Sequence, residues 1–93
     1  MVRTLDYQLP DVNLLGVLDP IPEGAWKPVI SDAEDLGVLL KVKYHATPGG
    51  TGHHHFEITG EESALVQVMP EVATLIALVL KRYIKAVELP EGQ

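Results

Sequence analysis

The 93-residue chain has no cysteine, which excludes disulfide staples, thiol nucleophiles, iron–sulfur ligation and cysteine-based zinc sites. Aromatic residues are few, with one tryptophan, one phenylalanine and three tyrosines to fill a core. Positive charge is also scarce, seven bases against thirteen acids leaving a net charge of −6. A nucleic-acid binder normally presents a basic face that displaces counterions from phosphates, so no nucleic-acid partner is expected. Long apolar runs are missing as well. The most apolar segment, Val72 to Leu80, is nine residues with Thr74 inside it, whereas a helix crossing a bilayer needs about 20. No membrane span is expected. The opening residues lack a basic stretch followed by an apolar one, and a cytoplasmic location is the expectation.

Complete catalytic signatures are absent too. Gly49-Gly50-Thr51-Gly52 has neither the lysine nor the spacing of a phosphate-binding P-loop, and neither Ser31 nor Ser63 sits in a nucleophile elbow. No motif fixes a function, so architecture and surface chemistry carry the inference.

What is present is 46% hydrophobic residues in a chain short enough for one core, and residues 1–93 are expected to form a single α+β domain. Four of the seven prolines (Pro10, Pro20, Pro22, Pro28) lie in the first 28 residues, where missing donors and restricted predecessors discourage regular structure. Residues 1–35 are therefore predicted to be an extended Pro-rich arm. It carries too much apolar surface, Leu9, Leu14, Leu15, Ile21 and Trp26 among it, to be a solvated tail.

Residues 36–69 are predicted to be a three-stranded antiparallel β-meander. Leu36 to His45 alternates, Val38, Leu40, Val42 and Tyr44 on one face and Leu39, Lys41, Lys43 and His45 on the other. A Pro-Gly-rich loop follows, then His53 to Thr59 alternates with His54, Phe56 and Ile58 inward. Ser63 to Met69 supplies the third strand, and residues 70–88 a C-terminal helix packed on the sheet, with Pro70 and Glu71 in its first turn. A helix starting near Glu61 ranks second, because it would place Pro70 in the interior at a cost of about 3 kcal/mol.

That helix is apolar over most of its circumference, and one side of a small sheet covers only one stripe of it. The N-terminal arm or a second copy of the chain supplies the remaining cover, and a homo-oligomer, dimer first, is the leading expectation. Val72, Ala73, Ala77, Leu78 and Leu80 are the expected interface, with Trp26 either anchoring a partner or clamping the arm to the core.

The one chemically suggestive cluster flanks the glycine loop. The strand register sets His45 opposite His53, Lys43 opposite His55 and Lys41 opposite Glu57, on one exposed face. His45, His53, His55 and Glu57 are ligand types that suit a divalent transition metal, zinc, nickel or iron(II). Ordinary surface histidines stand ahead of that, since Lys41 and Lys43 repel a cation, and no cofactor is the first expectation. His54, on the inner face, is expected to be a core histidine. The leading function is a non-enzymatic, self-associating module engaged in protein–protein interaction. Its alternative is a metal-dependent enzyme or sensor that uses the histidine face.

Overall fold

The structure, a computed structural model, describes residues 1–85. It is α+β, with antiparallel sheets and two helices. The main sheet is built on the hairpin of β4 (Leu39–His45) and β5 (His53–Glu61), whose seven-residue connection turns on a backbone bond from Gly50 N to Thr47 O of 3.0 Å. Pairing runs from Leu39↔Thr59 through Lys41↔Glu57 and Lys43↔His55 to His45↔His53. Period two does the rest: Leu40, His54, Phe56 and Ile58 are buried, while the opposite face carries the lysines and the other histidines.

The third strand is not residues 63–69. It is β1 (Val2–Pro10), antiparallel to β5 along its full length from Val2↔Glu61 to Pro10↔His53, giving the order β1-β5-β4. The expected meander and extended arm are both corrected by this strand. Arg3, Leu5, Tyr7 and Leu9 alternate with Thr4, Asp6 and Gln8, a strand pattern with few apolar members, and Pro10 closes it where no further ladder donor is needed.

The rest of the expected arm is also ordered. β2 (Val12–Asn13) and β3 (Gly16–Leu18) form a small hairpin that joins β6 (Ile84–Lys85) in a second sheet. A 3-10 turn at Glu23–Trp26 leads into α1 (Lys27–Asp35), where Pro28 occupies the first turn and loses no bond. The acids of the polar stretch 31–35 are the exposed face of α1, and Val29 and Ala33 its buried one. Gly37, at φ +95, ends the helix: Gly37 N bonds Glu34 O (2.9 Å) and Val38 N bonds Ala33 O (3.1 Å). This is the reciprocal C-terminal pattern that needs a left-handed residue, and it delivers buried Val38 directly to the sheet.

Residues 62–83 are one helix, α2 (Glu62–Tyr83), with Pro70 inside it. The lower-ranked alternative is the one observed. Leu65, Val68, Met69, Val72, Leu75, Ile76 and Val79 recur at three- and four-residue intervals and pack into or against the core, so a single stripe continues through the proline. Burying those residues along the sheet offsets the missing bond. Val66, whose carbonyl loses its partner, is 74% exposed, so water is at hand for that group. The expected end of the helix, residues 86–88, lies outside the described residues.

Among the described residues α2 is long and apolar enough to cross a membrane, with a mean hydropathy of 1.9 over 18 residues. The expectation of no span follows from the nine residues Val72 to Leu80, whereas the helix is 22 residues long. Three of its residues, Leu65, Val72 and Val79, are nonetheless buried in this chain's own core with Trp26, Leu40 and Ile58.

Candidate functional site

The expected histidine face exists as a face, and β1 adds to it. His45 and His53 have ring centroids 5.0 Å apart, and His45 and His55 5.9 Å. His55 is hydrogen-bonded through Nε2 to Asp6 Oδ1 at 3.0 Å, and its Nδ1 lies 3.9 Å from Glu57 Oε1. Lys43 Nζ reaches the same Glu57 oxygen at 3.0 Å. Asp6, His55 and Glu57 each bring one ligand atom within 4.8 Å of the others, the one such group among the described residues. His45 and His53 stand outside it, and Asp6 was not foreseen because its strand was not.

The apolar residues expected at an interface divide. Val72 and Trp26 are buried in this chain's core, so neither is free for a partner in this conformation. Ala73, Ala77 and Leu80 line an apolar cavity of about 370 Å³ between α2 and the sheet, with Tyr7 and Leu9 of β1 on its far wall. Leu78 is 53% exposed.

The most constrained polar cluster lies on the inner face, at the loop end of the sheet. Asp11 follows β1 and is fixed by its backbone, its N–H donating to Gly52 O (3.0 Å) and its carbonyl accepting from Leu18 N (2.7 Å). The Tyr44 hydroxyl donates to Asp11 Oδ2. Asp11 Oδ1 faces His54 Nδ1 at 3.6 Å, too far for a hydrogen bond, and both atoms are buried without a partner among the described residues. His54 is 4% exposed, between Tyr44 (ring centroids 4.9 Å), Trp26 (6.0 Å) and Phe56 (6.2 Å). Gly52 makes the close approach possible, because a Cβ there would overlap the Tyr44 ring and hydroxyl and lie 2.6 Å from His45 O.

Two ionisations respond to this packing. The hydrogen bond to Asp11, then desolvation and the carboxylate's charge, hold the Tyr44 phenol above its ordinary value. Burial pushes His54 below its ordinary value, and the charge of Asp11 only partly offsets this. Neutral His54 thus contributes stability that is fully present above the ordinary histidine value of about 6.5 and is lost as the pH falls through the depressed one. Urea unfolding is expected to show a falling midpoint below pH about 6.5, with a shallower fall in His54→Phe. An equally steep fall in that variant would assign it to other groups.

The sequence foresaw His54 as an inward histidine but not its partners. Asp11 meets it only because β1 pairs with β5, and Tyr44 only through the hairpin register. An imidazole on a predicted inner face was the available signal, since such a group calls for an acid nearby. No protein-family model matches the chain, and neither the curated proteins nor the solved structures compared with it gave a match.

Proposed function

We propose that the chain is a non-enzymatic assembly module whose α2 and β1 bind a second copy of itself, leaving other surfaces for a further protein partner. The observation that supports this reading is the apolar cavity of about 370 Å³ that runs along β1, an edge strand of the main sheet. Among the described residues this edge is unpaired and the apolar groove beside it unfilled, a surface that soluble proteins usually cover. The other edge, β4, carries Lys41 and Lys43, charges that discourage strand addition. Two-fold antiparallel pairing of β1 centred on Leu5 sets Arg3 against Tyr7 and Thr4 against Asp6 of the second copy, so no like charges meet. In this register Tyr7, 49% exposed on the helix side of β1 where it borders the groove, is covered by Arg3 of the second copy.

Native mass spectrometry of untagged protein tests this. A dimer is expected for the parent chain, a monomer for Ala77→Glu, which puts a charge in the groove without entering the core, and a dimer for Leu78→Glu, which does not line it. A parent chain that is monomeric at tens of micromolar, or a dimer untouched by Ala77→Glu, would refute it. The same spectra weigh the alternative, a metal-dependent enzyme or sensor, which the Asp6, His55 and Glu57 group favours. That reading requires an added transition-metal mass that disappears in Asp6→Asn. The contact between Lys43 and Glu57 weighs against it, because the ammonium already holds the oxygen a cation would take.

A further inference from the structure

The side chains around His54 leave space that they do not fill. Two cavities, of about 300 and 330 Å³, share Ile21, Tyr44 and His54 as walls. Asp11 and Asp19 border the first, Glu23 and Trp26 the second. Three carboxylates therefore border a pair of adjoining cavities, two on the first and one on the second, with Tyr44 and His54 as shared walls. Two cations lie beside them and each is already paired, Lys43 with its ammonium 3.0 Å from Glu57 and Lys85 with its ammonium 3.7 Å from Asp19. His54 turns Nδ1 toward Asp11, which leaves Nε2 as the ring atom able to accept from an occupant.

The geometry points to a binding site for a small organic cation, an alkylammonium or quaternary ammonium ion, seated against Tyr44 and Trp26 with its charge toward Asp11, Asp19 and Glu23. Aromatic faces attract such ions through the ring quadrupole, and carboxylates at the rim supply the opposite charge. An anion would meet three like charges. A neutral apolar molecule would cover the carboxylates and give nothing back for their lost hydration. The volumes lie at the small end of the range for ligand sites, and either one admits an ion of a few carbons around one nitrogen. His54, nine-tenths buried with a polar atom unsatisfied, marks the place as more than a surface dimple. This site is separate from the β1 edge and does not depend on self-association.

Titration followed by ¹H–¹⁵N NMR tests it, with tetramethylammonium and n-butylammonium chloride as probes, tert-butanol as the neutral comparison and sodium chloride as the ionic-strength control. Saturable shifts are expected at the Trp26 indole and the His54 amide with both cations, at least about tenfold weaker with tert-butanol. Asp19→Asn combined with Glu23→Gln removes two rim charges, and with them the exposed ion pair of Asp19 with Lys85, and is expected to weaken the cations about tenfold while leaving the spectrum folded. Asp11→Asn should weaken them further. Equal binding of tert-butanol would overturn the proposal, as would cation shifts that sodium chloride reproduces or that the double variant leaves unchanged.

Discussion

Pro70→Ala is expected to raise the thermal midpoint by roughly 8–16 °C, an unusually large gain for one exposed substitution. Pro70 lies inside the 22-residue α2 and cannot donate to the Val66 carbonyl. Interior proline costs a helix about 3 kcal/mol. Part of that is returned because proline restricts the unfolded chain, by about 0.4–1 kcal/mol. A net gain of about 2 kcal/mol remains, and in a domain this small each kcal/mol moves the midpoint by about 4–8 °C. The site is exposed, so alanine meets no packing obstacle. Calorimetry at one protein concentration decides it, since self-association would otherwise shift the midpoint by mass action. A midpoint unchanged or lowered would mean that the helix is shaped around the proline, and that the bend itself is part of the packing.

The same proline shows why part of the fold was hidden in the sequence. Local rules place it at a helix start, where it costs nothing, and make residues 63–69 a strand because Val66 and Val68 are β-formers in a short apolar run. The stripe from Leu65 to Val79 decides otherwise, because burial over many side chains outweighs one missing bond. The hairpin was legible because two alternating strands and a glycine loop agree on one register. β1 was not, since its partner β5 lies some fifty residues away and its own alternation is mostly polar. α1 is obscured because proline breaks a helix interior, although a first turn accommodates Pro28.

Those misplaced elements account for the sites. Four residues of one hairpin, His45, His53, His55 and Glu57, could be set on a common face from local spacing alone. Asp6 and Asp11 could not, because each joins its histidine through the β1–β5 pairing. The expected interface split for a related reason. A helix apolar all round does not reveal which stripe meets the sheet, and the packing of α2 makes Val72 core and leaves Ala77 exposed.

Gly52→Ala is expected to cost about 1–3 kcal/mol, in the range of overpacked sites, and to free the Tyr44 phenol from Asp11. The methyl group would overlap the Tyr44 ring on one side and press on the His45 carbonyl on the other. The carbonyl belongs to the β4 backbone and has little freedom, whereas Tyr44 is 52% exposed and is able to swing outward. Moving it removes the hydrogen bond that orders the Asp11 carboxylate opposite His54. Two readouts should therefore change together. The urea midpoint falls, and the Tyr44 phenol, held high by that hydrogen bond, titrates closer to the ordinary tyrosine value of about 10. Gly50→Ala is the control, because its added carbon would find nothing nearer than Thr47 Cγ2 at 3.7 Å. Loss of stability with an unchanged phenol titration would show that the backbone yields instead of Tyr44, and the hydrogen bond to Asp11 would then owe nothing to the missing side chain at residue 52.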